Sequence, residues 1–240
     1  MYAALQHEVH VWLLCSASAS EKAREYYASI LAEDEEDRLQ RLRTERLRGE
    51  FLVARGALRE LLGMYLRVSP EAIVFERNPH GKPRVAFPGE PRIEFSLSHG
   101  GGKVAYAFSA DRAVGIDLEP HDPAAVERAI LPVIFTEDER AELASLPPEL
   151  AVRGFFCGWT RKEAFVKATG EGVSRDLQSF AVTLDPRKPA ALAIPGGAPA
   201  DKWHLHSLDL CPGYEAALVV AGDGYQVRLH RVDDLHAVLG

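Results

Sequence analysis

Two short stretches of this chain carry charged groups in patterns that could act on a phosphate. In Gly115-Ile116-Asp117-Leu118-Glu119 the acids alternate with apolar residues, and in Trp159-Thr160-Arg161-Lys162-Glu163-Ala164-Phe165-Val166-Lys167 an acid and a lysine are spaced four apart. If the first stretch is a strand, Asp117 and Glu119 project from one side while Ile116 and Leu118 enter a core. If the second is a helix, Glu163 and Lys167 share a face. Three carboxylates with Lys162 and Lys167 are a set suited to holding a hard divalent cation against a pyrophosphate. Mg²⁺ typically takes one or two protein carboxylates together with substrate phosphates. Each pattern also has a plain structural reading. Alternation describes the solvent side of a half-buried strand, and an i,i+4 Glu–Lys pair on a helix surface is worth only about 0.2–0.5 kcal/mol.

Other stretches add candidates. Ser96-Leu97-Ser98-His99-Gly100-Gly101-Gly102 continues a strand-like run, and a strand opening into glycines would offer backbone N–H groups and an imidazole to an anion. It is not a P-loop, because Lys103 is followed by Val104 rather than Ser or Thr. Lys82 stands in the turn sequence Asn78-Pro79-His80-Gly81-Lys82-Pro83, where an ordinary surface lysine is the bland alternative. No Gly-x-Ser-x-Gly elbow is present. His204 and His206 flank Leu205 without cysteine or acidic partners, which makes a poor metal site.

Periodicity supplies the elements that must position these groups. Residues 9–15 read as a first strand, 21–31 as a helix, and 33–66 as a long helix with leucines at three- and four-residue steps. Gly49, Gly56 and Gly63 segment that helix. Its acidic start gives way to Arg38, Arg41, Arg43, Arg46 and Arg48, an order that a helix dipole favours and that also describes a solvated face. Strands are predicted at 73–76, 93–97, 104–108, 114–119, 180–184, 203–208, 214–220 and 225–232. Residues 126–133 and 136–146 read as helices, the second with Thr136 as N-cap and Glu139 in the capping-box position. Pro147-Pro148 opens a further helix that ends at Gly170 or Gly172, and 195–199 is a loop. Helices with mostly antiparallel strands in each half predict the α+β class. The Pro120–Pro123 segment is the expected junction, giving halves 1–119 and 120–240.

The bulk numbers narrow the function classes. A chain of 240 residues, 47% hydrophobic, can fill one large domain or two small ones. A net charge of −7 offers no overall basic field for nucleic acid. Cys15, Cys157 and Cys211 are widely spaced and form no CxxC pair, which fits reduced thiols and argues against a disulfide framework or a zinc site. The first twenty residues lack the basic start and long apolar run of a signal peptide, and no segment approaches the roughly 20 apolar residues of a membrane span. These features predict a soluble cytoplasmic protein.

Taken in order, the motifs are specific. Gly81-Lys82-Pro83, Phe95-Ser96-Leu97-Ser98-His99, Val114-Gly115-Ile116-Asp117-Leu118-Glu119 and Trp159-x-x-Lys162-Glu163-Ala164-x-x-Lys167 together resemble the Sfp-type 4′-phosphopantetheinyl transferases. The likeness covers residues 45–221, including Arg48-Gly49-Glu50-Phe51, Arg55 and Pro212-Gly213-Tyr214. It implies two similar α+β halves about a pseudo-twofold, with coenzyme A in the cleft between them. It further implies Mg²⁺ or Mn²⁺ at Asp117, Glu119 and Glu163. Lys82, Ser98 and His99 would contact the nucleotide phosphates, Lys162 and Lys167 the pyrophosphate side, and Arg48 and Arg55 further phosphate oxygens. Glu139, in Phe135-Thr136-Glu137-Asp138-Glu139, matches the family's Phe-Ser-x-x-Glu position and is the implied general base, with Glu163 acting through a water as the alternative. Ser96 departs from the family, many members of which have Asn before the Ser-His pair. The implied reaction moves phosphopantetheine from coenzyme A to a serine of an apo acyl or peptidyl carrier protein, performed by a monomer without nucleic acid or membrane. The rival expectations are a Mg²⁺-dependent pyrophosphate hydrolase and a non-catalytic protein that binds coenzyme A or a carrier.

Overall fold

The computed structural model describes residues 2–86, 92–124, 131–195 and 203–239. Most of the expected helix at 126–133 and of the loop at 195–199 lies outside the described residues. The chain opens with α1 (Tyr2–Leu5) and β1 (Glu8–Cys15), then α2 (Glu21–Ser29), α3 (Glu33–Arg41) and α4 (Glu45–Leu66). The small hairpin β2 (Phe75–Arg77) and β3 (Pro83–Val85) leads to β4 (Ile93–Gly100) and β5 (Lys103–Ala110). The pattern then recurs as β6 (Val114–Pro120), α5 (Leu131–Ile134), α6 (Glu137–Ser145), α7 (Pro148–Thr169), the short pair β7 (Ala181–Val182) and β8 (Leu192–Ala193), then β9 (Trp203–Leu208) and β10 (Tyr214–Ala221). A last strand, β11 (Gln226–Val232), and α8 (Leu235–Leu239) follow.

Sheet order exposes the repeat. The first sheet runs β11-β1-β5-β4 and the second β6-β10-β9, so β6, β10 and β9 take the places of β1, β5 and β4. Each half carries one 22-residue helix, α4 or α7, ended by a left-handed cap at Arg67 or Gly170. Each long helix follows a nine-residue helix whose third-position glutamate, Glu35 or Glu139, accepts the N-cap backbone N–H. This is the expected α+β architecture with its pseudo-twofold. β6, which precedes the expected Pro120 junction, pairs in the second sheet. β11 breaks the segregation by returning to pair in parallel with β1.

Burial follows the period of two within each strand. Trp12, Leu14, Tyr106 and Phe108 face α4, packing on Leu58, Leu61, Leu62 and Tyr65. The alternate residues Val11, Leu13, Ala105 and Ala107 meet Ile116, Leu118, Leu218 and Val220 of the second sheet. The far face of that sheet, with Ala217 and Val219, takes Phe165 and Ala168 of α7. The layers are therefore helix, sheet, sheet, helix.

Three local expectations are revised. The helix expected over 33–66 is broken at Thr44, whose hydroxyl accepts the Leu47 N–H and starts α4. The strand expected at 180–184 is only Ala181–Val182. The glycines after His99 form no anion-binding concavity. β4 runs through His99 into Gly100, and Gly101 and Gly102, at φ 58° and 83°, make the two-residue turn into β5. No helix among the described residues is long and apolar enough to cross a membrane.

Candidate active site

β6 is the edge strand of its sheet beside the first half, and α7 lies across its charged face. Close contact depends on Gly115, where a side chain would overlap the backbone of Ala164 and Ala168. Two residues on, Asp117 is only 2% exposed. Its Oδ1 accepts Lys167 Nζ at 2.6 Å and Ser98 Oγ at 2.8 Å, while Oδ2 is buried with no protein partner. Trp159 Nε1 donates to Glu119 Oε1 at 3.4 Å. Burial, then the charge of Asp117, pushes the Glu119 carboxyl up to about 7. Burial and Asp117 also raise Glu163, against the pull of Lys167. The structure thus brings Asp117, Glu119, Glu163 and Lys167 together, with more acid than one ammonium offsets.

A cleft of about 720 Å³ opens beside this group, with walls from both halves. Lys167, Glu163, Trp159, His99, Lys82 and Arg55 line it. Partial loss of water, then Lys167, holds the His99 imidazole below its ordinary value. Lys82 Nζ donates to the carbonyls of Val114 at 3.1 Å and Ala168 at 3.3 Å, leaving one of its three donors for a ligand. Its turn is tied to the end of α7, because Asn78 accepts the His80 and Lys82 N–H groups and donates to the Gly170 carbonyl. Arg55 lines the cleft but is paired with Glu35, its guanidinium 3.9 Å above the Phe75 ring.

Other expected residues stand elsewhere. Ser98 is buried and engaged with Asp117, so it orients that acid rather than standing open to a nucleotide. Arg48 does not line the cleft; it donates to the Leu42 carbonyl at 3.0 Å and pairs with Glu45. Lys162 and Glu139 are the clearest departures. Lys162 is fully buried, its three donors taken by Glu139 Oε2 and the carbonyls of Leu177 and Phe180 at 2.7–2.8 Å. Glu139, 3% exposed, also accepts from Thr136 N and Val182 N. Neither lines the cleft. The pseudo-equivalent pair Glu35–Arg59, at 2.5 Å, sits in the same place of the first half.

Arg38, Arg77, His80 and Arg175 line the cleft without having been singled out as site residues from the sequence. Arg38 was visible only as part of a charged helix face. Arg77, at the end of β2, and His80 and Arg175, from turns, meet in space, which no local pattern signals. With Arg55, Lys82 and Lys167, they set cations in the cleft lining beside the acids Asp34, Glu35, Glu163 and Asp176, inside a net-acidic chain.

No group of three His, Cys, Asp or Glu side chains among the described residues is gathered closely enough to hold a metal ion. Mg²⁺ requires none, since it takes few protein oxygens and keeps waters or phosphates for the rest. The unpartnered buried Oδ2 of Asp117 and the raised carboxyls of Glu119 and Glu163 fit such an ion.

The 4′-phosphopantetheinyl transferase superfamily matches residues 113–221, and the 4′-phosphopantetheinyl transferase N-terminal family matches residues 18–111. The two matches adjoin between residues 111 and 113. The 4′-phosphopantetheinyl transferase HetI of Nostoc sp. is 35% identical over 92% of this chain and 91% of its own. The 4′-phosphopantetheinyl transferase psf-1 of Bacillus pumilus is 37% identical over 72% of this chain and 69% of its own. For the 4′-phosphopantetheinyl transferase Sfp of Bacillus subtilis the figures are 25%, 84% and 87%. The chain belongs to the 4′-phosphopantetheinyl transferase superfamily.

Proposed function

We propose that Asp117, Glu119, Glu163 and Lys167 are the reacting centre of a transfer of phosphopantetheine from coenzyme A to a serine of an apo carrier protein. The observation that carries this reading is Asp117. One oxygen is fixed by Ser98 and Lys167 and the other is buried and free, behind Glu163 and Lys167, which line a cleft whose cations come from both halves. Arg38, Arg77, Lys82 and Arg175 offer donors for the anionic nucleotide end of coenzyme A. Asp117, Glu119 and Glu163 would hold Mg²⁺ or Mn²⁺, which when bound supplies Lewis-acid charge stabilisation at phosphate oxygens.

In the transfer, the carrier serine oxygen bonds to the β-phosphorus and the bond from that phosphorus to the bridging oxygen breaks. Adenosine 3′,5′-bisphosphate leaves. Lys167, with only one of its donors on Asp117, is placed to offset charge growing on the leaving phosphate. The serine proton needs a carboxylate. Glu139 is enclosed by Lys162 and two backbone N–H groups, so the role passes to Glu163, directly or through a water. The cleft is complete within one chain, in keeping with a monomer, and nothing in this chemistry calls for a membrane or a nucleic acid. A cytoplasmic setting matches the free thiols Cys15, Cys157 and Cys211.

The test is incubation with coenzyme A, Mg²⁺ and a panel of apo acyl and peptidyl carriers, read by the mass of the carrier. Gain of phosphopantetheine is expected, and the responding carriers identify the type served. Release of the bisphosphate without a carrier selects the hydrolase, and binding of coenzyme A with neither product selects a non-catalytic protein.

A further inference from the structure

β6 is an edge strand, and half of its backbone N–H and C=O groups point away from its own sheet. β4 of the other sheet lies along that edge without forming a backbone ladder with it. Buried peptide groups left without partners are costly, so each outward group must be satisfied from across the gap. The first half does this with side chains. The Val114 carbonyl accepts Lys82 Nζ at 3.1 Å, and the Ile116 N–H donates to Ser96 Oγ at 3.1 Å. Two residues along β4, on the same face, Ser98 Oγ donates to Asp117 Oδ1. Both serines are 6% exposed, and Ser96, unlike Ser98, also touches the cleft.

Ser96 therefore fastens the backbone of the second half one residue before Asp117, at the seam where the two sheets meet. We infer that Ser96 is a positioning residue. It sets β6 against β4 so that Asp117 meets Ser98 and Lys167 through one oxygen and keeps the other free. The inference rests on the proposed role of Asp117, but its structural part can be read without any substrate. The hydroxyl is short, accepts a backbone N–H, and leaves no room for a bridging water at 3.1 Å.

The experiment uses the full chain and Ser96→Ala, with Ser96→Thr as the conservative variant. Amide exchange is measured first, without coenzyme A or metal. Exchange at Ile116 should speed up about ten- to a hundredfold in Ser96→Ala, as expected for losing one buried hydrogen bond, and stay near wild type in Ser96→Thr. Mn²⁺ binding, followed by its electron-spin signal, should weaken about tenfold in Ser96→Ala and recover in Ser96→Thr. In the transfer assay, kcat should fall with the KM for coenzyme A within about twofold, since the serine acts through Asp117. Ser96→Cys, whose sulfur is a weaker acceptor, gives an intermediate exchange rate and keeps the test open if Ser96→Ala does not fold. Wild-type exchange at Ile116 in Ser96→Ala or Ser96→Cys overturns the inference. Faster exchange with unchanged Mn²⁺ affinity also overturns it, by showing a merely structural bond. A raised KM with unchanged kcat overturns it in favour of direct substrate contact. A wild-type protein that transfers nothing refutes the proposed function instead, and amide exchange separates the two failures.

Discussion

Glu139→Gln separates a catalytic carboxylate from a structural one, and the structure sets the size of each effect. Glu139 Oε1 accepts Val182 N at 2.7 Å; Oε2 accepts Thr136 N and Lys162 Nζ, both at 2.8 Å. A glutamine must turn its NH₂ toward one of these donors, so at least one bond becomes a donor–donor contact. It also leaves the Lys162 ammonium without a counter-charge, although the ammonium is fully buried. Breaking a buried pair in this way costs about 3–5 kcal/mol. For a chain of this size, about 2–4 °C of Tm is lost per kcal/mol, so Tm should fall by roughly 6–20 °C. Circular dichroism melts read the loss. Transfer assays at low temperature, corrected for the folded fraction, should give kcat within about threefold of wild type. Adding Lys162→Met should restore part of the stability, because it removes the buried charge that the glutamine leaves unpaired. An unchanged Tm with kcat lowered more than about a hundredfold would refute the reasoning and restore Glu139 as the base.

Asp117→Ala should lower kcat by at least about a hundredfold, since it removes the group joining Ser98, Lys167 and the cation site; an unaltered circular dichroism spectrum with undiminished turnover would remove Asp117 from the mechanism. Gly115→Ala should cost about 1–3 kcal/mol or more in a denaturant titration, because the added methyl overlaps the α7 backbone, and should depress kcat by displacing Glu163 and Lys167 from Asp117. Glu119 makes stability pH-dependent without metal: its folded value of about 7 lies above the ordinary carboxylate value, so its stabilising contribution is full below about 4.5 and is lost as pH rises through 7. Scanning calorimetry should therefore show Mg²⁺ raising Tm at pH 8, where the acids are charged and repel, and doing little at pH 5; equal Mg²⁺ effects at both pH values would contradict the acid cluster.

Local chemistry was legible in the sequence where one element contains its own explanation. The Thr136–Glu139 capping box is such a case, as are the alternation that made 114–119 a strand and the four-residue step from Glu163 to Lys167. The break at Thr44 was not legible, because Leu39, Leu42 and Leu47 carry the helical period across it. Glycines 100–102 suit either an anion nest or a tight hairpin, and only the pairing of β4 with β5 decides between them. Glu139 illustrates a different limit. Its capping role was readable and was correct, but its burial against Lys162 depends on α6 packing on α7, which no single segment encodes. The cleft arginines are of the same kind, since Arg38, Arg77 and Arg175 come from three separated stretches.

The pseudo-twofold poses a question that the residues answer. Trp12 pairs with Tyr106, and Asp117 with Ala217, at matching steps of β5 and β10; Leu14 and Glu119 correspond in the same way. Glu60 and Glu163 are each the sixteenth residue of their 22-residue helices, followed four residues later by Met64 and Lys167. His10 and Gly115 likewise correspond, each meeting the twenty-first helix residue, Tyr65 or Ala168. The first half thus holds the same backbone frame with Trp12, Leu14 and Met64 where the second has Asp117, Glu119 and Lys167. Only the glutamate survives there, and Glu60 is occupied by the Tyr27 hydroxyl and the His236 ring from α8. The exchange has a physical logic. Three apolar side chains close one frame into a rigid core, so its α4 and β4 can form a fixed wall of the cleft. The other frame keeps a cluster of buried acids, which in the proposed function a cation or substrate would complete. A single asymmetric cleft follows from a symmetric scaffold because stability and chemistry are assigned to different copies of one site.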